Sequence, residues 1–321
     1  MSKRRLIKWL SYTVLLSILI FLPLFVTQPY FIHLLIMIAI NIVLASSLRF
    51  VAISGQFSLA HAGMVSIGAY TSTLLVMKLG FSFWTALPLA GIAAMMIALF
   101  VGYPFVRLKG IYFTMVTLFF TEFIKLTAEQ WRSLTGGVSG IISIPRPDAV
   151  IIPGLMNASF ASKMDFYYLA LIIVVVTLSF LYATESSRIG MTFLSIQQSD
   201  SLAESLGVNS SGFRVLAFSL GCFFAGIAGA FYGHYLSAIT PASFSFLLSI
   251  YVFIYMVVGG MQSFYGPIIG ASILTLIPEF ARGLKEYEPF VFAAILLLVI
   301  FFLRGGLVSL PQRLSYSIRR G

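Results

Sequence analysis

The sequence predicts an all-α fold, a polytopic transmembrane helical bundle of about ten spans in a single domain, 1–321. Three observations carry this. Of the 321 residues, 60% are hydrophobic and only 9% charged, with a mean hydropathy of +1.01; a soluble domain averages roughly 45–50% apolar and about 25% charged residues. The apolar residues fall in long runs, and a helix of about 20 of them crosses a hydrocarbon core of about 30 Å. The basic residues collect at the ends of those runs, where the positive-inside bias places them. The net charge of +10 therefore reads as membrane topology, with no nucleic-acid partner. The one cysteine, Cys222, lies inside an apolar run and allows no intrachain disulfide. His33, His61 and His234 are too scattered for a metal-ligand spacing.

In chain order, the first run is 9–27. It follows Lys3, Arg4, Arg5 and Lys8, but no small-residue cleavage site comes after it, so it reads as a permanent span and not a signal peptide. Runs at 31–53, 62–79, 82–104 and 110–130 complete a first group of five. Segment 131–165 contains Gly136, Gly137, Pro145, Pro147, Pro153 and Gly154 and reads as an external loop. A second group follows at 166–184, 213–236, 244–260, 265–281 and 289–303. Run 244–260 either crosses or enters and leaves on one side. A five-and-five division allows an inverted repeat, although similarity between the halves is too weak to establish one. With a cytosolic amino terminus, thirteen Lys and Arg lie inside, six lie outside, and Lys125 falls within a span. That tally places both termini and loop 185–213 in the cytosol.

The polar interruptions are the candidates for function. Ser54–Tyr70 is rich in small and polar residues. Irregular backbone at membrane depth is tolerated where it is buried in protein or lines a wet cavity. Gly55, Gln56, Ser58 and His61 are therefore candidates for a translocation path; an ordinary turn and a packing face fit the same spacing. Glu122, Lys125 and Glu129 share one helical face. Charges inside a span usually face the bundle interior or a water-filled cavity, which makes Glu122 a further path candidate, with anchoring of the helix end as the other reading. Gly221, Ala225, Gly229 and Gly233 form a small-residue stripe for close helix packing. Gly137-Val138-Ser139-Gly140 looks like an intramembrane serine-protease signature, but it lies in the external loop, so a base such as His234 is not expected within reach. There is no G-x-x-x-x-G-K-[ST] loop, so no nucleotide hydrolysis by that route is expected of this chain. Loop 185–213 is too long for a passive connector. Ile189, Phe193, Ile196, Leu202 and Leu206 are expected to share one face of a short helix there.

Several motifs, in order along nearly the whole chain, carry a resemblance. They are Gly55-Gln56-Phe57-Ser58-Leu59 with His61-Ala62 and Ile67-Gly68-Ala69-Tyr70; Leu108-Lys109-Gly110-Ile111-Tyr112 leading to Val116-Thr117-Leu118 and Glu122; Thr135-Gly136-Gly137; Ile239-Thr240-Pro241 with Phe244; and Met256-Val257-Val258-Gly259-Gly260 with Gly266-Pro267 and Gly270-Ala271. Together they resemble the LivM-type permease subunits of bacterial branched-chain amino acid ABC transporters. The resemblance implies a multi-pass protein of the bacterial inner membrane working by alternating access. Its expected partners are two cytosolic ATPase subunits, a second permease subunit that is a paralogue, and a periplasmic or lipid-anchored substrate-binding protein. No cofactor is expected on this chain; ATP and Mg belong to the partner ATPase.

In such permeases the loop before the seventh span carries a coupling helix that docks the ATPase. Here that loop matches Arg188 through Val208, with Arg188, Gly190, Phe193, Asp200, Glu204 and Gly207 as docking candidates. Met191 and Gln197-Gln198 stand where charges are usual, so the contact is expected to rest on Phe193, Ile196 and Leu206 more than on ion pairs. Ala60 also stands where the first motif usually has glycine. The alternative reading is a stand-alone secondary transporter or channel for a small polar solute such as urea, which would more typically place ionisable residues deep in several spans.

Overall fold

A computed structural model describes residues 28–152, 156–158, 160, 162–281 and 306–309, with single positions 23 and 297. The spans expected at 9–27 and 289–303 lie outside the described residues. Six of the expected runs are long helices: α1 (Pro29–Ala52), α2 (His61–Leu79), α3 (Phe83–Phe105), α4 (Ile111–Gln130), α5 (Lys163–Glu185) and α8 (Ser210–Leu236). Between α5 and α8 lie α6 (Arg188–Gln198) and α7 (Asp200–Ser205); after α8 come α9 (Phe246–Gly259) and α10 (Gly266–Ala281). Among the described residues, seven segments are long and apolar enough to cross a membrane: these six helices and Pro241–Gly259, which joins a 3-10 turn to α9. The fold is an all-α membrane bundle.

The two ends of the bundle are fixed by side-chain ties. At one end His33 of α1 is hydrogen-bonded to Tyr235 of α8 (2.6 Å). Lys163 at the start of α5 donates to the Pro29 carbonyl. We call this the outer end. At the other, inner end, Arg49 of α1 meets Glu185 of α5 and the Met261 carbonyl after α9. Segment 238–259 therefore starts at the outer end and finishes at the inner one. It crosses and does not turn back. Only its inner part is α-helical, because α9 has 14 residues and spans about 21 Å at 1.5 Å per residue.

α8 is the most buried of the spanning segments and sits at the centre. The small-residue stripe read from the sequence explains why. A methyl group added at Gly221 would fall 2.5 Å from Val51 of α1, at Gly226 2.6 Å from Ala94 of α3, and at Gly229 2.0 Å from the Val65 carbonyl of α2. Three neighbours thus approach α8 at backbone distance, where dispersion contacts hold apolar helices together in a medium as apolar as they are. Segment 131–165 contains a one-turn helix (Arg132–Thr135), a 3-10 turn (Gly137–Ser139) and short strands. β1 (Ile141–Ile142) pairs antiparallel with β4 (Ala238–Ile239) beyond α8, and β2 (Val150–Ile152) pairs with β3 (Met156–Ala158). β1 thereby fastens the segment to the outer end.

Candidate functional site

The chain leaves α1 in a turn in which Ser54 Oγ donates to the Val51 carbonyl. Gly55 takes φ +85°, a left-handed conformation that costs glycine no Cβ clash. The chain then turns back into the bundle. Gln56–Ala60 has no regular structure, and its backbone groups are satisfied by a ladder of threonines one turn apart on α4. Thr114 Oγ1 donates to the Phe57 carbonyl (2.8 Å), Leu59 N–H donates to Thr117 Oγ1 (3.0 Å), and Thr121 Oγ1 donates to the Leu59 carbonyl (2.8 Å). Non-helical backbone at this depth persists because protein groups replace the water it lacks. Ser58 Oγ accepts from Ala60 N–H, and Ser249 Oγ of α9 accepts from Ala62 N–H. Both cap the start of α2.

Glu122 closes the same junction from the other side. One of its oxygens accepts from Phe246 N–H, the first residue of α9, at 3.1 Å, and the other is 3.3 Å from Lys125 Nζ. Carboxylate at a helix start complements the unpaired N–H groups and the positive end of the helix dipole. Glu122 lies about 17 Å along α4 from Ile111 at 1.5 Å per residue. α2 and α9 thus both begin near mid-depth and run to opposite ends of the bundle. Such broken helices, one in each half of a chain, are the form in which transporters build sites at the membrane midplane.

The five path candidates lie at or beside this turn and junction. Gly55 is at the inner turn, and Ser58 and Glu122 are at the junction. Gln56 donates to the Val106 carbonyl (3.4 Å), and its Oε1 has no partner among the described residues. His61 is fully buried; Nε2 pairs with Ser47 of α1 at 3.3 Å, while Nδ1 has no partner among the described residues.

The six docking candidates divide. Ser199, in extended conformation, ends α6 and caps α7 by accepting from Leu202 N–H. That break restarts the helical count, so the single apolar face expected from Ile189 to Leu206 does not form. Phe193 and Ile196 turn inward, 0% and 1% exposed, with Phe193 held edge-on by Phe50 and Phe213. Leu202 and Leu206 turn outward, 67% and 85% exposed. Gly190 is buried, and a methyl group there would meet the Glu185 carbonyl. Asp200 is paired with Arg214 (2.5 Å) and Lys109 (3.3 Å). Arg188, Glu204 and Gly207 remain exposed. The exposed apolar side chains of α6, α7 and the turn after it are Ile189, Met191, Leu194, Leu202 and Leu206, and the expected use of Phe193 and Ile196 is corrected accordingly.

This surface is tied to the inner turn. Gln197 donates to the Ala52 carbonyl, and Arg214 donates to both the Ser54 carbonyl and Asp200. Arg49 makes a two-pronged pair with Glu185, 2.7 Å for each bond, and donates through Nε to the Met261 carbonyl. Arg49 thereby joins α1, α5 and the α9–α10 turn, a role that its place near the end of an apolar run does not announce. The partners are 136 positions apart, and spacing carries no signal at that range.

The permease component of the branched-chain amino acid transport system, as a protein family, matches residues 30–303. This chain belongs to that family. As a family member it is 29% identical over 279 residues to the high-affinity branched-chain amino acid transport system permease protein LivM of Escherichia coli K12. The match covers 82% of this chain and 66% of that relative, so the chain spans just under two thirds of the LivM length. It is 25% identical to LivH of the same organism and to BraD of Pseudomonas aeruginosa, in each case over 81% of this chain and 88% of the relative. No solved structure matches. The protease-like Ser139 of this family member lies exposed in the 3-10 turn. Both ring nitrogens of His234 are engaged, by Ser72 and by the Pro145 carbonyl, so His234 is not poised as its base.

Proposed function

We propose that this chain is the permease subunit of an ATP-driven importer of branched-chain or related amino acids, working by alternating access. The observation that carries the reading is the exposed Met191–Leu206 surface, tied by Gln197 and Arg214 to the turn that leads into the mid-depth junction. A solvated apolar patch marks a protein contact, and here the occupant is one of two cytosolic ATPase subunits, which hold the ATP and Mg. Movement of α6 and α7 is passed through Ala52–Gly55 to Phe57–Leu59, which slides along the threonine ladder and separates the α2 start from the α9 start. Glu122 and the helix N-termini offer the junction both signs of partial charge, as a zwitterionic substrate requires. The inner end is cytosolic, and both chain termini lie on that side. A second permease subunit, a paralogue, completes the membrane path, as suggested by the similarity of this chain to two different permeases of one organism. A substrate-binding protein delivers the amino acid from outside.

The test is uptake into vesicles containing the chain and its co-purified partners, against a panel of branched-chain and other amino acids, amides and urea. ATP inside the vesicles is expected to drive accumulation of a branched-chain amino acid. Equal transport by the chain alone without ATP would overturn the proposal and favour a channel or secondary transporter.

A further inference from the structure

Asp200, the first residue of α7, holds two cations from two different elements. Arg214 Nη2 of α8 lies 2.5 Å from one carboxylate oxygen, and Lys109 Nζ lies 3.3 Å from the other. The two contacts differ in kind. The Arg214 side chain is 9% exposed, and its Nε also donates to the Ser54 carbonyl of the inner turn. A charge buried in this way keeps its partner, because leaving it alone is costly. The Lys109 side chain is 71% exposed, so water and salt replace its partner at little cost. Lys109 belongs to the turn between α3 and α4. There Gly110 takes φ +59°, and a methyl group on it would meet nothing within 4 Å, so open space lies beside the turn.

The two contacts bear on the junction from different sides. Through Gln197 and Arg214, the docking helices grip the end of α1 and the inner turn, at the Ala52 and Ser54 carbonyls. Through Lys109 they grip the start of α4, whose Thr114, Thr117 and Thr121 hold the chain at Phe57 and Leu59. Among the described residues, Lys109–Asp200 is the one ion pair or side-chain hydrogen bond that joins α6 or α7 to the α3–α4 turn. While it is closed, the inner turn and α4 are fastened to one carboxylate and move together. Sliding of Phe57–Leu59 past the α4 threonines requires them to part. Gln56 Nε2 also bridges the two turns, to the Val106 carbonyl at 3.4 Å, a distance beyond the usual hydrogen-bond range.

We propose that Lys109 is a positioning residue for coupling. Its pair with Asp200 is a latch, closed in this structure, that fastens α4 to the docking helices and opens in each transport cycle while Asp200–Arg214 stays closed. The inference rests on the reading of α6 and α7 as the ATPase contact, and it adds the bond that must break. The experiment measures ATP hydrolysis and amino acid uptake by the complete complex in vesicles. Lys109→Gln is expected to raise ATP hydrolysis in the absence of amino acid by about two- to five-fold, the range over which an exposed pair acts, and to lower the amino acid moved per ATP. Raising salt from about 0.1 M to about 1 M shortens the screening length from about 10 Å to about 3 Å. It is expected to raise this idle hydrolysis in the unmodified complex and not in Lys109→Gln. Lys109→Arg keeps the charge and is expected to restore the unmodified rate and salt response. Lys109→Gln with the unmodified rate and salt response would overturn the latch, as would Lys109→Arg matching Lys109→Gln. Loss of the ATPase from the Lys109→Gln complex would overturn it too, by making Lys109 part of the docking surface itself. With ATP-driven uptake intact in the unmodified complex, these results sink the latch alone. Without that uptake, the reading of the chain as an ATP-driven permease falls, and the latch falls with it.

Discussion

At the scale of the residue, the Arg49–Glu185 pair shows how one side chain ties distant parts of the chain. Arg49 is almost fully buried, and three of its guanidinium bonds are accounted for by Glu185 and the Met261 carbonyl. Removing one partner of such a pair leaves a buried charge alone and costs about 3–5 kcal/mol. Glu185→Ala is therefore expected to lower the thermal midpoint of the detergent-solubilised protein, read by size-exclusion of heated samples. Arg49→Lys, with Glu185 in place, is expected to lower it by less, because an ammonium keeps the charge pairing but cannot make the two-pronged contact. Gly68 gives a packing counterpart. A methyl group there would fall 2.1 Å from the Gly226 carbonyl, and Gly68→Ala is expected to cost about 1–3 kcal/mol by overpacking, measured in the same way.

At the scale of the element, the threonine ladder on α4 and the break at Ser199 decide what the polar segments do. Thr117→Val and Thr121→Val each leave a backbone group of Leu59 unpaired, at about 1–3 kcal/mol per group. Both are expected to impair uptake and stability. Thr184→Val is the control, since Thr184 Oγ1 bonds only within its own helix, to the Phe180 carbonyl, and it is expected to change neither. The long helices were legible in composition because burial and lipid exposure select the same apolar residues. The expected runs 62–79 and 82–104 became His61–Leu79 and Phe83–Phe105. The stripe on α8 was legible too, since close packing needs glycine and alanine at fixed spacing. What escaped was the inward turn of Phe193 and Ile196. Serine fits a helix interior and a cap equally well in sequence, and only the extended backbone at Ser199 reveals which it is. The threonine ladder escaped for a similar reason: threonine in an apolar run is unremarked until the backbone it serves is in place.

At the scale of the whole molecule, the ties divide the bundle into an outer end closed by segment 131–165 and an inner end carrying α6 and α7. Gln56, Ser58, His61 and Glu122 are legible as polar residues in or beside apolar runs, but a sequence does not show that two helices start from mid-depth in opposite directions. The proposed orientation has a direct check. In a Cys222→Ser background, Glu204→Cys is expected to react with a membrane-impermeant maleimide only from the cytosolic side, and Ala149→Cys only from outside. Both positions are exposed. Labelling of position 204 from outside would reverse the bundle.

The exposed surface of α6 and α7 is proposed to couple a partner's ATP hydrolysis to transport. It is tested most directly by ATP-driven amino acid uptake in vesicles containing the assembled partners and the double variant Leu202→Asp, Leu206→Asp. Both side chains are largely exposed in this chain, so the variant is expected to fold and insert normally and to lose ATP-driven uptake together with ATPase co-purification. Uptake at the unmodified rate, with the ATPase still bound, would rule out this coupling surface.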